Sequence, residues 1–169
     1  AIIVVHLYGL PVDMDPLLNL AARYGLSVIE DAAEMHGQTY RGRPCGSFGT
    51  LSTFSFYANK HITTGEGGII VTDDDELDGR CRSLRNLCFG EEHRFVHQEM
   101  GWNYRLTSIQ AALGLSQLDR LGEIVRRKRR IGGLYTERLQ DIEALELPPA
   151  ATDYGENIYW VYGLILKET

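Results

Sequence analysis

The sequence predicts an α/β fold built on a mostly parallel sheet, and three observations carry that expectation. Strand-like segments such as Ala1 to Val5 and Leu26 to Ile29 are short, continuous apolar runs, as in strands covered on both faces, although Leu51 to Tyr57 alternates. Segments with helical periodicity separate these runs. The carboxylates of Glu30 and Asp31 stand where one run ends, the place where α/β sheets present ligand-binding groups.

Taken in order, Ala1 to Val5 is apolar and rich in β-branched residues, which reads as a buried strand running into a loop at His6 to Gly9. Asp15 followed by Pro16 predicts an N-cap with proline at the first helical position. Leu17, Leu20, Ala21 and Tyr24 then recur at helical spacing until Gly25. Leu26 to Ile29 is the next strand, ending in Glu30 and Asp31, so the first three elements make a βαβ unit. Leu51 to Tyr57 and Gly67 to Thr72 are predicted strands, and Asp74 to Asn86 is a helix opened by acidic residues. The α/β alternation is expected to continue to about Asn86. Leu87 to Tyr104 lacks periodicity and reads as a long loop, a feature that usually serves function. Thr107 and Gln110 form a capping box ahead of a helix to Leu118. A second helix follows, its apolar stripe running from Leu121 through Val125, Ile131 and Tyr135 to Ile142, weakened at Gly132 and Gly133. Ile158 to Leu166 reads as a final strand.

Composition narrows the function classes. The 169 residues, 44% hydrophobic and 24% charged, suit a folded globular chain, and the apolar runs are too short to cross a bilayer. A net charge of -6 argues against binding nucleic-acid backbone, and the basic run Arg126 to Arg130 falls on the polar face of a helix. Cys45, Cys81 and Cys88 lack disulfide-framework or zinc-site spacing, which suits a reducing cytoplasm. The chain opens without Met and inside an apolar run, so a fragment of a longer sequence is expected.

The segment Ser55 to Gly68 holds the most chemistry. Lys60 follows a strand and precedes hydroxyl and glycine residues, in a turn that can bring backbone close to a ligand. Burying such an amine lowers its pKa, and a neutral amine can attack an aldehyde. By itself Lys60 is more readily an ordinary loop lysine, and Asp31 alone is as readily a helix N-cap or loop-capping aspartate. Together they are the minimum protein chemistry for pyridoxal phosphate, which needs an amine and a carboxylate that keeps its ring nitrogen protonated.

Four longer motifs extend this pair: VHLYGLPVDM at 5–14, VIEDAAEMHG at 28–37, GSFGTLSTFSFYANKHITTGEGG at 46–68 and GWNYRLTSIQAALGLSQL at 101–118. In these the chain resembles the DegT/DnrJ/EryC1/StrS sugar aminotransferases, which have the aspartate-aminotransferase fold (fold type I). The resemblance implies pyridoxal 5'-phosphate as cofactor, Lys60 as its Schiff-base lysine, and Asp31 opposite its pyridine nitrogen. Ser55 matches a serine that binds the cofactor phosphate. Asn103 matches an asparagine that reaches the phosphate of the neighbouring subunit in a homodimer. Glu34 stands where many members have a Gln that contacts the phenolic oxygen, a departure that requires a protonated or compensated carboxylate. His at the lysine position marks the family's dehydratases; here His61 follows Lys60 rather than replacing it.

The resemblance further implies that residues 1–118 are part of the large cofactor-binding domain and 119–169 the start of the small one, since members are about twice this length. FYANKHITTGEGG at 56–68 and RFVHQEMGWNYRLT at 94–107 are most similar to the perosamine-synthase-like members, which aminate a GDP-linked 4-keto-6-deoxymannose. The expected substrates are therefore a nucleotide-linked keto-sugar and an amino donor such as glutamate, in cytoplasmic synthesis of polysaccharide of the O-antigen type. Other cofactor-dependent reactions of nucleotide sugars (3-amination, epimerisation, dehydration), and a non-catalytic fragment, remain open at this point.

Overall fold

The computed structural model describes residues 1–90, 93 and 95–167; Arg94, which opens one of the motifs, and residues 168 and 169 of the predicted small-domain segment lie outside them. Strand β1 (Ile2–Val5), helix α1 (Met14–Tyr24) and strand β2 (Val28–Asp31) form the expected unit, with β1 parallel to β2. The helix begins earlier than the Asp15-Pro16 signal implies, with Asp13 at the N-cap. A distant side chain explains the shift. The buried Tyr40 hydroxyl donates to Asp13 (2.6 Å) and accepts the Asp15 N–H (3.2 Å), satisfying the first turn in place of a local cap. At the other end Gly25 adopts φ 60°, and Leu26 N–H reaches back to the Ala21 carbonyl. That closing turn uses Leu26, so the strand starts at Val28 and extends through Asp31.

The short hairpin β3 (Thr39–Tyr40) and β4 (Arg43–Pro44) precedes β5 (Leu51–Ser55), which lies parallel to β2. Strand β6 (Gly68–Val71) completes a four-stranded sheet of order β1, β2, β5, β6, and it runs antiparallel to β5. This corrects the expected continuation of the βαβ alternation. No helix joins β5 to β6; residues 56–67 form a loop, which returns the chain beside its neighbour in the opposite direction. The sheet is still mostly parallel. Its core, against α1, gathers Val4, Met14, Ala21, Val28, Ala32, Met35, Tyr40 and Cys45. Strand β1 is less covered than its sequence suggests: it forms one edge of the sheet, and Ile3 is 67% exposed.

Helix α2 (Asp75–Arg85) is capped by Asp74, whose carboxylate accepts the N–H groups of Glu76 and Leu77. Helix α3 (Ser108–Leu118) has the predicted Thr107/Gln110 capping box. Helix α4 (Leu121–Leu139) ends before Ile142. Strand β7 (Leu145–Glu146), the hairpin β8 (Ala151–Thr152) and β9 (Gly155–Glu156), and β10 (Ile165–Leu166) follow. The predicted strand from Ile158 to Leu166 is thus reduced to its last two described pairs, with β7. Tyr159 at φ 48°, its N–H bonded to the Asn157 side chain at 2.7 Å, bends the run. Ile158 and Tyr159 are buried in that bend, and the Tyr159 ring fits against α4 only because position 132 is glycine: a Cβ there meets the ring at 2.5 Å. Gly132 is a packing requirement rather than a weak point.

Candidate active site

The parallel register sets the site. Val5, Asp31 and Thr53 occupy one rung across β1, β2 and β5, so the loops leaving these strands open side by side. They deliver Tyr8 from the first, Asp31 and Glu34 from the second, and Ser55 and Lys60 from the third.

Lys60 is the centre of the group. Its side chain is 9% exposed, and Nζ lies 3.9 Å from Glu34 Oε1. Burial lowers its pKa, against the opposing pull of Glu34 and Asp31. Glu34, 14% exposed, uses Oε2 to accept the Tyr8 N–H at 2.5 Å. Tyr8 takes φ 57° in the turn after β1. Burial raises the Glu34 pKa, and the Asp31 charge adds to that, while Tyr8 N–H and Lys60 oppose it. Asp31, at the end of β2, accepts the Ala33 N–H at Oδ1 (3.1 Å). Ser55, the last residue of β5, accepts the Tyr57 N–H at 3.2 Å and keeps its hydroxyl hydrogen to donate. Asn103 is exposed and bridges Asn86 just past α2, outside the cluster around Lys60.

One member of the cluster is absent from the motif reading. The Lys60 Nζ lies 3.8 Å from the centroid of the Trp160 ring, and the indole N–H donates to the Asn59 carbonyl at 3.2 Å. Trp160 also stacks on Tyr8, with centroids 6.3 Å apart and planes at 21°. No local pattern marks it, because its neighbours read as a strand.

Behind the site a second group is fully internal. His6 and Glu30 are both 0% exposed, with His6 Nε2 2.9 Å from Glu30 Oε1. The Val12 N–H reaches His6 Nδ1 at 3.0 Å, so we assign the ring hydrogen to Nε2, donating to Glu30. Glu30 also accepts from the backbone of Gly46, Phe48 and Gly49 and from the Ser52 hydroxyl. Burial pushes its pKa up, but these donors outweigh it and hold the carboxyl below its ordinary value. Cys45 brings its sulfur within 4.8 Å of the His6 and Glu30 ligand atoms. The trio is a poor cation site: both imidazole nitrogens are engaged, and burial pushes the Cys45 thiol up to about 12. A separate cavity of about 730 Å³, apolar and lying between the sheet and α3, contains none of the five predicted site residues.

The sequence as a whole decides what this arrangement belongs to. All of residues 1–169 match the DegT/DnrJ/EryC1/StrS aminotransferase family. The chain belongs to that family. The motif resemblance is therefore borne out, and with it the dependence of these aminotransferases on pyridoxal phosphate. GDP-perosamine synthase of Caulobacter vibrioides is 46% identical over 168 residues, and that of Escherichia coli O157:H7 is 44% identical over 167. Each alignment covers 99% of this chain and 45% of the relative, so the chain spans about half the length of these relatives. Among solved structures, Streptomyces venezuelae DesV in complex with a ketimine intermediate superposes with a TM-score of 0.86 at 38% identity, over 97% of this chain and 44% of that one. Among the described residues no helix is long and apolar enough to cross a membrane.

Proposed function

We propose that this chain is the cofactor-bearing part of a pyridoxal-phosphate-dependent aminotransferase that moves an amino group from glutamate to a nucleotide-linked keto-deoxysugar. The observation that carries the proposal is Lys60: a nine-tenths buried amine at the mouth of a parallel sheet, its pKa lowered by burial, facing the Glu34 and Asp31 carboxylates. The residues fit the cofactor, since they offer an amine for the aldehyde, a carboxylate for the ring nitrogen and a free hydroxyl for the phosphate.

Pyridoxal phosphate supplies an electron sink that lets a proton leave the carbon beside the reacting nitrogen. The rest falls to the chain. Lys60 would hold the cofactor covalently and, once freed by the donor amine, would carry the proton between the two carbons as general acid and base. Asp31 has one oxygen on Ala33 N–H, and its other oxygen would hold the proton of the ring nitrogen. Burial raises the Glu34 pKa, and a protonated Glu34 would donate to the phenolic oxygen as Gln does in many members. Ser55 donates to the phosphate. Asn103, exposed and outside the cluster, would serve the phosphate of the neighbouring subunit in a homodimer.

The resemblance to GDP-perosamine synthases supports a GDP-linked 4-keto-6-deoxymannose as acceptor, aminated at carbon 4 for O-antigen-type polysaccharide in the cytoplasm. In this reading residues 1–118 belong to the large domain and 119–169 begin the small one. The test uses the full-length protein. With pyridoxal phosphate it should show a visible absorbance band and transfer nitrogen from glutamate to the keto-sugar, and Lys60→Ala should abolish both. Persistence of the band and of transfer in Lys60→Ala would sink the proposal.

A further inference from the structure

Trp160 lies a hundred residues beyond Lys60 in the chain, yet its ring is as near the Lys60 nitrogen as the Glu34 carboxylate is. The ring is fixed on several sides. Its N–H is bonded to the carbonyl of Asn59, the residue before Lys60, and Tyr8 stacks beside it. The Trp160 carbonyl accepts from Lys128 of α4 at 2.9 Å, and Tyr159 is wedged against Gly132 one turn further along the helix. Lys60 can swing on its four-carbon stem; the indole has no such freedom.

We propose that Trp160 is the resting place of the free Lys60 amine, holding it against the ring face whenever the lysine is not bonded to a ligand. The inference rests on the reading of Lys60 given above, in which the amine alternates between bonded and free. A free ammonium at a site with 9% exposure has lost most of its water. Glu34 offers one oxygen at 3.9 Å, beyond hydrogen-bond reach, and commits the other to Tyr8. The face of an indole supplies the missing attraction to a cation, most strongly where water is excluded. Trp160 is thus a positioning residue.

Two measurements on the cofactor-free full-length protein test this. The Lys60 ε-methylene protons, assigned by their loss in Lys60→Arg, should resonate upfield of those of other lysines because they lie over an aromatic ring. They should return toward the ordinary position when pyridoxal phosphate is added. Second, acylation of each lysine is followed by mass spectrometry. Lys60 should react about tenfold faster in Trp160→Leu, whereas Trp160→Phe, which keeps a ring face but loses the bond to Asn59, should stay near the native rate. An unshifted methylene signal in the native protein overturns the proposal without reliance on any Trp160 variant. So does equal acceleration in Phe and Leu, which would assign the effect to the Asn59 bond. The cofactor-free shift is independent of the enzymatic reading. If it is present but unchanged by pyridoxal phosphate, the failure lies with Lys60 as the attachment point.

Discussion

Glu30 and Asp31 are consecutive residues of one strand, and the fold treats them in opposite ways. Alternation along β2 sends them to opposite faces. Glu30 is fully buried and takes hydrogen bonds from a histidine, a serine and three backbone N–H groups of residues 46–49. Asp31 is half-buried and takes one, from Ala33. A carboxylate satisfied on every side has no capacity left for a ligand; it pins the loop that leads into β5. One with an unclaimed oxygen at a strand end retains its capacity for something that arrives later.

The contrast breaks or sharpens under substitution, first and most strongly at these two positions. Glu30→Gln turns an NH2 toward buried donors, leaving at least one without an acceptor, and should cost about 1–3 kcal/mol in urea unfolding of the full-length protein. Asp31→Asn should change that stability by less than about 0.5 kcal/mol, while lowering amino transfer by about a hundredfold or more. If Asp31→Asn destabilised as much as Glu30→Gln, the division between the two carboxylates would fail.

The next effect is one of pH. His36, stacked on Phe56 and packed at a tilt against Phe54, has its pKa lowered to about 4, mainly by burial. The unfolded chain therefore binds a proton that the folded one refuses. The stability from His36 is complete above about 6.5 and is lost as the pH falls toward 4, amounting to about 3 kcal/mol. Glu34 runs the other way: its raised pKa gives stability below its unfolded value of 4.5 that is lost as the pH rises through its folded value. Unfolding midpoints measured across pH should flatten on the acid side in His36→Phe and above 4.5 in Glu34→Gln.

The smallest effect concerns another pair of neighbours. Gly132→Ala drives a methyl into the Tyr159 ring and should cost about 1–3 kcal/mol. Gly133→Ala meets nothing within 4 Å and should stabilise α4 by up to about 1 kcal/mol. Thermal melts of the two variants give the opposite signs directly.

Local pattern made much of this molecule legible. The apolar runs, the Thr107 capping box and the Asp74 cap each act within a few residues, and those elements lie close to where the sequence puts them. Asp31 was legible by its position at the end of a parallel strand, and Glu34, Ser55 and Lys60 by the motifs of the loops and strand ends beside it; the structure brings Lys60 and Glu34 together. What stayed hidden depends on partners far along the chain. The cap of α1 comes from Tyr40, and the burial of Glu30 depends on a loop sixteen or more residues later. Trp160 reaches Lys60 only because Asn157 and Tyr159 bend a segment whose composition reads as a strand. The direction of β6 was hidden for a related reason: its apolar run is the same in either orientation, and only the helix-free loop decides.

The rung shared by Val5, Asp31 and Thr53 has a consequence of its own. Neighbouring strands are held about 4.8 Å apart by backbone hydrogen bonds whatever side chains they carry. The spacing among the groups that leave this rung is therefore a gauge cut into the backbone, which mutation of individual side chains does not recalibrate. Loops and the segment around Trp160 are free to be rewritten for new acceptors, while the gauge on which the ring of the cofactor would be seated keeps its dimensions.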